Sequence, residues 1–156
     1  MRYFTQELLD RFRSADDDVA DAADAEWEKA SEAYRAAVDA MALPPDVLSL
    51  ARDYCFHDDY VRAMSRFSRD GSPNSVGMLI VKLEQRGLRR EIVYANAHYV
   101  EPVSLVGTHW LYDEVEALRH APSPGARGES DWYLHRILTD RGEVTIRFKS
   151  VTVTTA

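Results

Sequence analysis

One cysteine, Cys55, leaves no internal disulfide to staple the chain. Long hydrophobic runs are missing: the longest, such as Met78 to Val81, fall far short of the roughly 20 residues that cross a bilayer. Behind Arg2 there is no apolar stretch of the kind that forms a signal peptide. Phosphate-binding fingerprints are absent too, because Gly71 and Gly87 are isolated turn glycines outside any Walker or dinucleotide pattern. Neither H-E-x-x-H nor paired C-x-x-C occurs. No internal repeat is visible, and apart from the Pro-, Gly- and Ser-rich segment at 120–130 there is no low-complexity linker. These absences point to the cytoplasm and to a single domain over 1–156, with no membrane contact. A chain of 156 residues needs no staple, since a domain of that size buries roughly 70% of the surface its unfolded form exposes.

What is present is charge, unevenly placed. The net charge is −7, yet residues 1–59 carry 15 acidic and 6 basic side chains, and residues 60–156 carry 11 acidic and 13 basic. The first part would repel a phosphate backbone, which argues against nucleic acid as a partner. It could attract a basic protein and speed its association. The plainer reading is a solvated helix face.

Residues 1–59 read as helical. Thr5 can cap a short first helix to about Arg13, and Ser14 can cap a long second one, with Asp16, Asp17 and Asp18 against the positive end of its dipole. Val19, Ala23, Trp27, Ala30, Tyr34, Val38 and Met41 then recur in steps of three and four, a helical stripe expected to pack on the domain's own sheet. Pro44-Pro45 ends that helix, and a third helix is expected over about Asp46 to Tyr54.

Residues 60–156 read as strands. They are expected at Tyr60–Phe67, Val76–Leu83, Glu91–Tyr99, Thr108–Ala117, Trp132–Leu138 and Glu143–Val153, with turns at 70–74, 85–87 and 140–142. Val76–Leu83 is apolar on both alternating faces, as a strand covered on both sides would be. The segment 108–117 could be helix, but Leu111, Asp113, Val115 and Ala117 alternate with Trp110, Tyr112, Glu114 and Glu116, which favours strand. The phase shift from Phe148 to Val151 predicts a bulge near Lys149-Ser150. The expected fold is α+β, with about three N-terminal helices packed on one face of a curved, mostly antiparallel meander of about six strands.

The richest chemistry lies at Cys55-Phe56-His57-Asp58-Asp59, where the helical part meets the strands. Carboxylates there face the negative end of a helix dipole and call for a cation, an arginine or free N–H groups. His57, Asp58, Asp59 and His135 are candidate ligands for a divalent metal, with Glu114 on a strand that could pair with that of His135. His57 oriented by Asp58, with Glu114 and His135, could serve general acid–base catalysis. The ordinary alternative is a histidine and carboxylates that cap a helix-to-strand junction. Cys55 reads as a small buried hydrophobe more readily than as a nucleophile, because reactive thiols need an electropositive setting. Arg86, Arg89 and Arg90 at a hairpin tip could grip an anion or simply keep the edge solvated.

The opening Arg2-Tyr3-Phe4-Thr5-x-Glu7, the Phe56-His57-Asp58 junction and Trp110-Leu111-Tyr112-x-Glu114, followed by His135 and Ile146-x-Phe148, together resemble a bacterial family of unknown function. The resemblance runs over nearly the whole length. It implies a shared architecture and directs interest to His57, Asp58, Glu114 and His135, without implying an activity or a cofactor. Two functions are therefore in play. One is a non-enzymatic protein-binding domain that holds a basic partner, an acidic antidote to a basic toxin being one form. The other is a small metal-dependent or acid–base enzyme centred on His57 and Asp58.

Overall fold

The computed structural model describes residues 1–68, 76–100, 104–118 and 132–156, the side chains of 99 and 100 excepted. The expected turn at 70–74 and the segment at 120–130 lie outside them. Among the described residues, three helices precede seven strands: α1 (Gln6–Phe12), α2 (Asp17–Ala40), α3 (Pro45–Arg52), β1 (Asp59–Ser68), β2 (Gly77–Gln85), β3 (Leu88–Val100), β4 (His109–Leu118), β5 (Trp132–Thr139), β6 (Gly142–Phe148) and β7 (Ser150–Thr155). No described helix is long and apolar enough to cross a membrane.

The helix starts follow from capping. Thr5 Oγ1 accepts from the Leu8 N–H and opens α1. Asp16, not Ser14, caps α2: its Oδ1 accepts from the N–H groups of Asp18 and Val19, and Ser14 Oγ accepts from the Asp16 N–H just ahead of the helix. A carboxylate there adds favourable charge at the helix N-terminus, which a hydroxyl lacks. Pro45 opens α3, where its missing N–H costs nothing. Asp46 accepts from the Val151 N–H and ties α3 to β7.

All strand pairs are antiparallel, and they close a ring. β1–β2–β3 is a meander, β4–β5–β6 is another, and β3–β6 and β1–β4 join the two. The last joint is short: Asp59↔Trp110 and Tyr60↔His109, extended by hydrogen bonds between Val61 and the Gly107–Thr108 backbone. The β2–β3 hairpin turns on Arg86 and Gly87, both with positive φ, the two-residue turn whose twist matches antiparallel strands. β3 bends at Asn96 (φ 50°), so that Arg90–Ala95 pair with β7 and His98–Val100 with β6. This explains why seven strands appear where about six were expected. At Lys149 the chain does more than bulge: it leaves β6, donates its N–H to Ala95 O, and restarts as β7.

Ring closure gives the sheet an inside and an outside. The inside holds Val61, Leu79, Val81, Leu83, Ile92, Tyr94, Trp110, Ile137, Val144, Ile146 and Phe148, all buried. Each such side chain contributes about 1.5–3 kcal/mol of hydrophobic stabilisation. The expected single helical layer is split by this closure. α3 adds Val47 and Leu50 to the inner cluster, along with Phe56. Leu9 of α1 instead joins Leu111 and Leu138 in a separate outer cluster, with Trp27 of α2 against it. The α2 stripe does turn inward at Ala23 and Val38, but Val19 is left exposed. α2 meets the sheet at β4, where Tyr34 Oη accepts from the Val115 N–H at 2.7 Å and the Trp27 and Tyr112 rings lie 4.1 Å apart. β2 is covered on one side only: Met78 is 39% exposed and its partner across the ladder, Phe67, 54%.

Candidate functional site

The three ionisable residues at the junction diverge. Asp58 sits in the left-handed region (φ 67°), a conformation that Asp tolerates better than most side chains, and its N–H donates to Trp110 O at 2.8 Å. The Asp59 N–H closes the turn on Phe56 O at 2.8 Å. His57 is half-exposed, with Nδ1 3.1 Å from Asp58 Oδ2, its ring edge-on to Tyr112 at 4.9 Å, and its carbonyl accepting from Gln85 Nε2 at 2.7 Å. Asp59 points the other way. It is buried, takes a hydrogen bond and an ion pair from Arg90, and has one oxygen with no partner. Burial pushes its carboxyl above the usual range, Arg90 opposes that push, and the Asp58 charge adds to it. Arg90 is thus the cation that an acidic helix-to-strand junction calls for, and it leaves the group of hairpin-tip arginines expected to grip an anion. Cys55 is exposed, contrary to its reading as a buried hydrophobe: α3 ends at Arg52, and past it Phe56, not Cys55, enters the core.

Glu114 is nearly buried on the outer side of β4. Its Oε1 accepts from the N–H groups of Arg2, Tyr3 and Phe4 at 3.1, 2.6 and 2.8 Å, and its Oε2 from Arg2 at 2.8 Å. Three successive backbone donors around one carboxylate form an anion nest. The opening Arg2-Tyr3-Phe4-Thr5 and the later Trp110-Leu111-Tyr112-x-Glu114 are therefore two sides of one joint, which seats Phe4 among Trp27, Tyr34 and Tyr112.

His135 lies inside the ring, fully buried. β4 and β5 pair as anticipated, but the register sets His135 opposite Val115 and Glu114 opposite Arg136, so Glu114 and His135 do not share a face. A bulge at Trp110–Tyr112 is responsible: it turns Leu111 and Tyr112 outward together and brings Trp110 to the side of Asp113 and Val115. His135 Nε2 is 2.8 Å from Asp113 Oδ2, its Nδ1 is 2.8 Å from Tyr94 Oη, and Trp110 Nε1 donates to Asp113 Oδ1 at 3.0 Å. Tyr94 is wholly buried, and desolvation, aided by the Asp113 charge, holds its phenol well above its ordinary pKa. Simple alternation puts Trp110 on the face opposite Asp113 and so does not reveal this Tyr94–His135–Asp113–Trp110 line. The Trp-x-x-Asp spacing was the one local hint.

The four catalytic candidates thus occupy three places: His57 and Asp58 at the surface turn, Glu114 in the N-terminal nest, His135 in the core. Among the described residues, no three His, Cys, Asp or Glu side chains gather as metal ligands. One cavity reaches from His57 of the surface turn to Asp113, the carboxylate that His135 meets. It measures about 720 Å³, lies between α2, α3 and β4, and is lined by Tyr34, Arg35, Arg52, Cys55, His57 and Asp113 among others. No protein-family model matches the chain, and no curated protein matches it.

Proposed function

We propose that the protein is a non-enzymatic protein-binding domain whose acidic helix α2 holds a basic protein partner. The observation that carries this reading is the uncompensated charge of that helix. α2 has eight carboxylates and two basic side chains. Asp17, Asp18, Asp21, Asp24, Glu28 and Glu32 are exposed and form no salt bridge among the described residues, whereas Glu26 pairs with Arg11 and Asp39 with Arg52. Six carboxylates over roughly 22 Å of helix make a one-signed field that raises the association rate of a cationic surface. The dispersal of His57, Glu114 and His135 supports the same reading, since each is engaged with groups of its own chain. An acidic antidote to a basic toxin in the bacterial cytoplasm is the concrete form, in keeping with the resemblance to a bacterial family. The acid–base or metal reading at His57 and Asp58 has less behind it, because its residues share no cleft.

The test is capture of a partner from bacterial lysate by the full chain, at low salt and at about 1 M, where screening shortens to about 3 Å. A variant carrying Asp21→Asn, Asp24→Asn, Glu28→Gln and Glu32→Gln runs alongside. A basic protein lost both at high salt and from the variant supports the reading. A partner that the neutralised helix retains, or the absence of any salt-sensitive partner, overturns it.

A further inference from the structure

We propose that the cavity between α2, α3 and β4 is a binding site for a small organic amine, with Asp113 receiving its ammonium group. The argument starts behind the carboxylate. Tyr94 Oη is buried in the ring, and among the described residues its one polar contact is His135 Nδ1. A buried phenol whose hydrogen found no acceptor would lose a hydrogen bond's worth of stability, so Tyr94 donates and Nδ1 accepts. The imidazole hydrogen is then on Nε2 and points at Asp113 Oδ2. With Nδ1 accepting from Tyr94, the ring donates to Asp113 through Nε2 alone.

Asp113 therefore has one donor fixed on each oxygen from inside the ring, an imidazole N–H and an indole N–H. A carboxylate accepts about four hydrogen bonds, so capacity remains on both oxygens. The side chain is 16% exposed, and that opening is to the cavity. No Lys or Arg among the described residues forms a salt bridge with it. Of the cations lining the cavity, Arg52 is paired with Asp39, and Arg35 forms no salt bridge with Asp113. Asp53 is a further carboxylate in the lining, and His57 stands there beside Asp58.

The walls suit the same ligand. Phe4, Tyr34, Phe56 and Tyr112 line the cavity, and aromatic faces attract a cation by about 0.5–2 kcal/mol. Burial holds the Tyr34 phenol above its ordinary pKa, the Val115 N–H opposes it, and the charges of Asp113 and Glu114 add to the rise. The volume falls among those of small-molecule sites. A rigid carboxylate, locked from behind and open in front to aromatic walls, is an arrangement prepared for a primary ammonium or amidinium group. It asks for nothing from the outer carboxylates of α2 and stands apart from the protein-binding reading.

Trp110 supplies the readout, because its indole N–H rests on the carboxylate that the amine would touch. The chain has three tryptophans, so three indole signals report in a ¹H–¹⁵N spectrum. Phenethylamine is the probe, and 3-phenylpropionate is its control, with the same ring and a carboxylate in place of the ammonium. Phenethylamine is expected to move the Trp110 indole signal saturably and to leave that of Trp132 in place. Asp113→Asn should weaken binding about tenfold or more, the scale of a charge-assisted contact. Since Asn also disturbs the His135 contact and could unfold the chain, Ser31→Phe is the second variant. It fills the cavity from the half-buried α2 side and leaves the inner line untouched. It should keep the Trp110 signal and abolish its response. The proposal is overturned if 3-phenylpropionate moves the signal as well as the amine does, if Ser31→Phe responds like the unmodified chain, or if the amine produces no saturable shift.

Discussion

β4 and α2 both carry runs of carboxylates, and they treat them in opposite ways. On β4, Glu114 is surrounded by the N–H groups of Arg2, Tyr3 and Phe4, and Asp113 by the Trp110 indole and the His135 ring. Every such carboxylate organises part of the chain. On α2, six carboxylates stand in water without an ion pair among the described residues. Asp17 and Asp18 have a local reason to be there, at the positive end of the helix dipole. Asp21, Asp24, Glu28 and Glu32 have none. Burial explains the difference: a buried carboxylate without donors would cost several kcal/mol, while an exposed one costs almost nothing. Asp113 and Glu114 are therefore tied into the fold, Asp113 with one side left open to the cavity, and charge on α2 remains free for a partner.

The sharpest way to break this contrast is Glu114→Ala. Three backbone donors would lose their acceptor, and Phe4 would lose its seat against Trp27 and Tyr112. A loss of about 3–5 kcal/mol is expected, as for other buried charged groups whose partners are left behind. Urea unfolding measures it, and hydrogen exchange at Arg2, Tyr3 and Phe4 should accelerate in step. A change below about 1 kcal/mol, the scale of one ordinary hydrogen bond, would make the nest incidental and remove the contrast.

Asp59 and Arg90 come next. Arg90→Leu leaves a buried carboxylate without its cation, an expected loss of about 3 kcal/mol at neutral pH. The pH profile adds a sign. Burial raises the folded-state pKa of Asp59 above its unfolded value of about 3.8, so between the two the folded chain holds more proton. The contribution of this group is then greatest below the unfolded pKa and falls as pH rises through the folded one. Asp59→Asn removes that slope, so the variant should gain on the unmodified chain as pH rises from about 4 and level off above the folded pKa. Parallel stability–pH curves for the two proteins would show that Arg90 cancels the burial completely.

What could be read in advance divides along the same line, between local and distant causes. The Thr5 cap, the α2 stripe from Ala23 to Val38 and the hairpin at Arg86-Gly87 depend on neighbours in sequence, and they are where alternation, spacing and turn chemistry put them. The site did not follow from such rules. The bulge that turns Trp110 toward Asp113 is set by β5 across the ladder, and the split pairing of β3 by β6 and β7, which come some 50 residues later. Glu114 reads as a candidate for chemistry, and the nest that occupies it comes from the far end of the chain. Asp113, its neighbour, looked like one more strand position. Which of two adjacent carboxylates meets an imidazole was decided by a one-residue phase shift that no periodicity in the chain announces.

The smallest expected effect tests the other side of the contrast. Asp21→Asn, Asp24→Asn, Glu28→Gln and Glu32→Gln together should change stability by less than about 0.5 kcal/mol, since exposed charges are well screened and Asn and Gln differ little from Asp and Glu in helix propensity. Relief of like-charge repulsion should make the sign a slight gain, visible at low salt and gone at about 1 M, where the screening length is about 3 Å. Thermal melts of both proteins at the two salt concentrations measure this. A loss above about 1 kcal/mol would mean that these carboxylates answer cations of their own chain, and α2 would then resemble β4. A gain that persists at high salt would point to helix propensity as its source and leave the electrostatic reading of α2 without support from stability. The expected outcome, a small gain that salt erases, is the signature of charge that the fold tolerates and does not use.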